Sequence, residues 1–139
     1  MTRPHADAGF RELEHTADWA IEVWAPTWTG LLEQAARGMY ALLRLQVDPT
    51  TTAPRALHVR AADAESLLVD FLSELLFWLE TDRVAGTTFH LQATPTEVRG
   101  TLQVAPVQRL EKEIKAVTYH NLRVQHDASG WRAVVTFDV

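Results

Sequence analysis

Five consecutive residues, Glu14-His15-Thr16-Ala17-Asp18, bring two carboxylates, an imidazole and a hydroxyl together at the end of a strand-like segment. Hard divalent cations take oxygen ligands, so such a loop can hold one, with Asp18 as the natural donor and water or backbone oxygens completing the shell. The same side chains also serve as ordinary turn formers, because short polar groups hydrogen-bond their own backbone. Asp138 is the second candidate, although an aspartate at a strand end is often simply solvated. Spacing leaves both readings open, because two carboxylates from distant segments must meet in space to share an ion.

Glu111-Lys-Glu-Ile-Lys-Ala-Val-Thr-Tyr-His is the third feature. Read as a strand, it places Glu111, Glu113 and Lys115 on one face and Lys112, Ile114 and Ala116 on the other. Lys115 can then pair with a carboxylate or a phosphate, or stand as ordinary surface charge. Tyr119 and His120 read as packing and hairpin residues. Other chemistries find no residues to carry them. There is no glycine-rich phosphate loop and no G-x-S-x-G elbow. The six histidines (His5, His15, His58, His90, His120 and His126) are scattered and make no zinc-type pair. His58 and His90 read as surface or core-edge residues. A metal-dependent hydrolase built on the same aspartates would have only His15 as a nucleophile or base.

The elements that must position these groups follow from periodicity. Trp19, Ile21 and Val23 alternate with Glu22, as in a half-buried strand, and Pro26 stops it. Thr27 sits where an N-cap belongs, and Leu31, Leu32, Ala35, Ala36, Met39, Leu42 and Leu43 recur at spacings of three and four, predicting a helix from about Trp28 to Leu45. A turn-rich connector, 47–54, leads to a short strand at Ala56. Asp63 caps a second helix that runs to about Thr81, so apolar that it must be covered on more than one side. Strands are expected near 87–94, 97–105, 110–119, 120–126 and 131–138, the last two forming a hairpin around Asp127 to Gly130. The reading is α+β: a single domain, mainly antiparallel sheet covered by two amphipathic helices. Residues 1–9 read as a flexible N-terminal arm and 10–139 as the domain.

Composition narrows the partners. At 139 residues, 47% hydrophobic and 22% charged, the chain has the make-up of one globular domain. Thirteen basic against eighteen acidic residues give a net charge of −5, and only Lys112 and Lys115 are lysines. Affinity for a phosphate backbone comes largely from counterions displaced at clustered lysines and arginines, so a strong direct grip on nucleic acid is not expected. The absence of cysteine excludes disulfides, thiolate zinc sites and a cysteine nucleophile. Neither a membrane span nor a signal peptide is read, which makes a cytoplasmic domain the expectation.

Three segments together resemble the archease family: Phe10-Arg-Glu-Leu-Glu-His-Thr-Ala-Asp, the helix Leu67-Leu-Val-Asp-Phe-Leu-Ser-Glu-Leu-Leu-Phe, and Glu113-Ile-Lys-Ala-Val-Thr-Tyr-His with the closing Phe137-Asp-Val. The resemblance spans Phe10 to Val139. It implies a non-enzymatic accessory protein of an RtcB-type RNA ligase, which joins a 3′-phosphate or 2′,3′-cyclic phosphate end to a 5′-hydroxyl in tRNA splicing and RNA repair. The accessory protein promotes guanylylation and multiple turnover of that ligase. By the same resemblance Asp18, Asp138 and Val139 hold a divalent cation, calcium first and manganese or magnesium as alternatives. Lys115, with His15, would act on the partner. A chaperone-like or specificity role toward a tRNA methyltransferase is the alternative the family carries. Glu14 stands where many members have aspartate, and Trp19 where an aliphatic residue is usual.

Overall fold

The computed structural model describes residues 7–13 and 19–139. Eleven elements follow in order: β1 (Gly9–Leu13), β2 (Trp19–Ala25), α1 (Trp28–Leu42), β3 (Gln46–Val47), β4 (Ala53–Arg60), α2 (Ala64–Thr81), β5 (Val84–Thr94), β6 (Glu97–Arg109), β7 (Ala116–Thr118), β8 (Gln125–Asp127) and β9 (Gly130–Asp138). Every strand pairing among them is antiparallel. One sheet runs β1-β2-β9, with β7 and β8 both paired along the far side of β9. In the other, β6 is central, with β5 on one side and β4 and β3 on the other. The fold is α+β, a mostly antiparallel β domain with two helices.

Both helices start where their capping residues predict. Thr27 accepts a 3.0 Å hydrogen bond from the Gly30 amide, and Asp63 accepts one of 2.8 Å from Ser66. Each cap satisfies a backbone donor that the helix itself leaves unpaired. The first helix ends at Leu42, three residues before the expected Leu45. Arg44 takes a left-handed conformation, φ 54°, so that its amide reaches the Ala41 carbonyl and the Leu45 amide reaches Tyr40. This double closure is usually built on glycine, and no glycine marks it here.

α1 packs on β1, β2 and β9 of the first sheet and on β5 of the second, while α2 contacts β4, β5 and β6 as well as β7. Both helices therefore lie against both sheets, which accounts for the apolar girth of α2. Leu67, Leu68, Phe71, Leu72, Leu75 and Leu79 are all fully buried, and Phe77 alone of its large apolar residues stands exposed. On β2, Trp19, Ile21 and Val23 share the core-facing side, as their alternation predicts. Glu22 on the other side pairs with Arg11 and Arg132. The Trp28 indole donates to the Thr94 carbonyl at 2.8 Å, tying the start of α1 to the end of β5.

The strand expected over 110–119 is corrected by the structure. Only Ala116–Thr118 is strand. The amides of Glu111 and Lys112 both donate to the carbonyl of Leu43, just beyond α1, instead of to a neighbouring strand. Ile114 then drops into the core, 1% exposed. Likewise most of 120–126 is a loop, with Val124 donating to Glu65 on α2 at 2.8 Å. Tyr119, expected to pack, is exposed. The hairpin at the chain's end is present as β8–β9, closed by Asp127 accepting from Ser129.

Candidate functional site

The end of β9 brings three of the sequence's candidate residues together. Asp138 is the register partner of Ala116, and its main-chain carbonyl accepts a 2.8 Å hydrogen bond from the Lys115 amide. Beyond it Val139 is 38% exposed. Lys115 therefore sits immediately before β7, not on the strand face shared with Glu111 and Glu113 that alternation predicted. Glu111 instead lies near Arg44 and Arg109, at 3.8 and 3.4 Å. His15 and Asp18 lie outside the described residues.

The strands fix this corner through packing on the inward face and leave its charged groups outward. Val117 and Phe137 pair across β7 and β9, and both are buried. One residue further, parity turns Ala116 and Asp138 to the exposed side. Alanine is too short to cover the carboxylate beside it. The carboxylate of Asp138 and the ammonium of Lys115 have no hydrogen-bond or ion-pair partner among the described residues. One pair inward, the Thr118 hydroxyl donates to the Thr136 carbonyl at 2.9 Å, and Thr136 is buried, which secures the register of the short β7 on β9.

On the opposite side of β9, Trp19 is the register partner of Phe137. The ammonium of Lys112 lies 4.7 Å from the centroid of the Trp19 ring. Such a contact contributes about 0.5–1 kcal/mol at an exposed site. It ties the 110–115 segment to the start of β2, so both lysines of the chain converge on the same end of the first sheet. Sequence reasoning missed this contact, and nothing in the spacing of residues 19 and 112 could have revealed it.

The donor chemistry fits a hard cation. An exposed carboxylate with free oxygens is the ligand type such ions take, and one carboxylate needs oxygens from other segments or water to complete a shell. No group of three or more His, Asp or Glu residues stands close enough to form a metal site among the described residues.

The fold is a mostly antiparallel domain with two helices against both sheets, ending near an exposed aspartate and lysine. The chain belongs to the archease protein family, whose sequence profile matches residues 10–139. It is 32% identical to protein archease of Methanosarcina mazei over 98% of this chain and 99% of that one. It is also 32% identical to protein archease of Methanopyrus kandleri, over 94% and 99%. Among solved structures, the fold resembles a crystal structure from Thermotoga maritima described as an archease and possible chaperone. The TM-score is 0.70 at 23% identity, covering 100% of this chain and 98% of that one. A solution structure of a Methanobacterium thermoautotrophicum protein gives 0.65, also at 23% identity, covering 94% and 99%. No described helix is long and apolar enough to cross a membrane.

Proposed function

We propose that this protein is a non-catalytic accessory factor, acting in the cytoplasm, that activates an RtcB-type RNA ligase and promotes its guanylylation and multiple turnover in tRNA splicing and RNA repair. In this reading Asp18, Asp138 and Val139 hold a divalent cation, calcium before manganese or magnesium, and Lys115 and His15 act on the partner. The observation that carries it is the register of β2 on β9. Trp19 pairs with Phe137, and each is the sequence neighbour of a proposed ligand, Asp18 before Trp19 and Asp138 after Phe137.

When bound, the cation would supply positive charge for phosphate or nucleotide groups of the partner. The chain's own part is to orient. Lys115 is held through its amide on Asp138 while its ammonium has no partner among the described residues, and the Trp19–Lys112 contact steadies the segment that carries it. A net charge of −5 with two lysines suits insertion of a small charged corner into a partner better than wrapping RNA.

Multiple-turnover ligation by an RtcB-type ligase, with GTP and manganese and a substoichiometric amount of this protein, tests the reading. Turnover should rise with the native chain and fail to rise with Asp138→Ala or Lys115→Ala. A chaperone or specificity role toward a tRNA methyltransferase is the second reading, favoured by the description of the Thermotoga maritima structure as a possible chaperone. It predicts suppressed client aggregation that survives Asp138→Ala.

A further inference from the structure

The outer face of the second sheet carries a depression whose lining includes none of the residues of the Asp138 corner. There β4, β6 and β5 lie side by side, and their outward residues meet in rows across the strands. His58 opposes Arg99, which opposes Gln92, and Thr101 opposes His90. Directly opposed residues sit about 4.5–5.5 Å apart, so two imidazoles, a guanidinium, an amide and a hydroxyl surround one small area. The open depression they line has a volume of about 660 Å³, within the range of roughly 300–1,000 Å³ over which proteins hold small ligands.

Gly100 of β6 lies in its floor, paired with Leu57 of β4 and Leu91 of β5. Its φ is 157°, and a Cβ there would stand 2.0 Å from the His90 carbonyl oxygen. The backbones of β5 and β6 thus approach more closely than any side chain at this position would allow. Around Gly100 the donors are largely uncommitted. Glu97 engages His58 at 2.6 Å and Arg60 at 3.0 Å. Arg99, His90, Gln92 and Thr101 have no side-chain partner among the described residues.

The chemistry of this set selects its ligand. A guanidinium with imidazole, amide and hydroxyl donors matches a phosphate, which accepts several charge-assisted hydrogen bonds at once. No Phe, Tyr or Trp stands among the outward residues of β4, β5 or β6. Single-stranded nucleic acid is usually held by aromatic stacking platforms, so this face suits a terminal phosphate better than a polynucleotide track. We propose that the depression binds a phosphate monoester of nucleotide size, with Arg99 as the charged donor and His90, Gln92 and Thr101 as further hydrogen-bond donors.

Titrating the full chain with inorganic phosphate, with adenosine 5′-monophosphate and with the dinucleoside monophosphate ApA, followed by amide and imidazole NMR shifts, tests this. Phosphate and the mononucleotide should bind saturably, with shifts gathered at His58, His90 and Gly100, while ApA, which lacks a terminal phosphate, should not saturate. Arg99→Gln and His90→Gln, both at exposed positions, should keep the thermal midpoint and weaken the mononucleotide at least about fivefold each, as loss of a charge-assisted bond would. Failure of phosphate and mononucleotide to saturate, unchanged affinity in both variants, or equal binding of ApA would each overturn the proposal.

Discussion

The amide of Lys115 donates to the carbonyl of Asp138 across 2.8 Å, so the two charged residues of the candidate site are bound to each other through their backbones, and neither side chain has a partner among the described residues. The division matters physically. Position is set by the main chain and by the buried Val117–Phe137 pair, and neither ammonium nor carboxylate is consumed in holding the corner together. Replacing either side chain should therefore remove its chemistry and leave the fold intact.

Cation binding is the first consequence. Titration calorimetry with calcium should show weak binding to the native chain, since few carboxylates are present to form the shell. Asp138→Ala should lower the affinity at least about tenfold and change stability by no more than about 0.5 kcal/mol, as expected for an exposed position. Full affinity in the variant would remove Asp138 from the ligand set.

Tyr40 gives the fold a sensitivity to alkali. Its hydroxyl accepts a 3.0 Å hydrogen bond from the buried Gly86 amide, and burial pushes its pKa up to about 12 from 10.0. The folded state then holds the proton where the unfolded state releases it, so the contribution is intact below pH 10 and is lost as pH rises toward 12. A two-unit shift corresponds to about 3 kcal/mol. Denaturant titrations at pH 9 and pH 12 should show that loss in the native chain. In Tyr40→Phe it should be absent, with a penalty of about 1–3 kcal/mol at neutral pH for the unpaired Gly86 amide.

Gly100 is the position in the second sheet that tolerates least. A Cβ 2.0 Å from a backbone oxygen cannot be relieved by rotating a side chain. Gly100→Ala should cost about 3 kcal/mol or more and lower the thermal midpoint by roughly 10 °C. Scanning calorimetry decides it, and an unchanged midpoint would mean that β5 and β6 do not meet as described.

Glu65 holds the 119–124 loop to α2 by accepting from the Val124 amide at 2.8 Å. In Glu65→Ala that amide loses its acceptor, and its hydrogen exchange should quicken at least about tenfold, the equivalent of roughly 1.4 kcal/mol, within the range for a bond to a charged group. Exchange in the α2 core should be unaffected.

Much of this architecture is legible in the residues. Thr27 and Asp63 announce both helix starts because a side-chain oxygen at that place has a definite partner. The alternation of Trp19, Ile21 and Val23 gives the buried face of β2 because strand parity leaves no choice. What sequence hides is long-range satisfaction of backbone groups. Glu111 and Lys112 alternate with their neighbours as a strand would, yet their amides are taken by Leu43. The first helix closes on a left-handed Arg44 where glycine would have been the signal. At the site, residue types pointed to Asp138 and Lys115, but only the pairing of β7 with β9 joins them. The Trp19–Lys112 contact depends on two segments 93 positions apart, 112 against 19.

The most direct measurement is multiple-turnover RNA ligation by an RtcB-type ligase with substoichiometric native protein and with Asp138→Ala. The account predicts that the native chain raises turnover and that the variant, folded to the same thermal midpoint, does not. Full stimulation by Asp138→Ala, or no stimulation by the native chain, would contradict it.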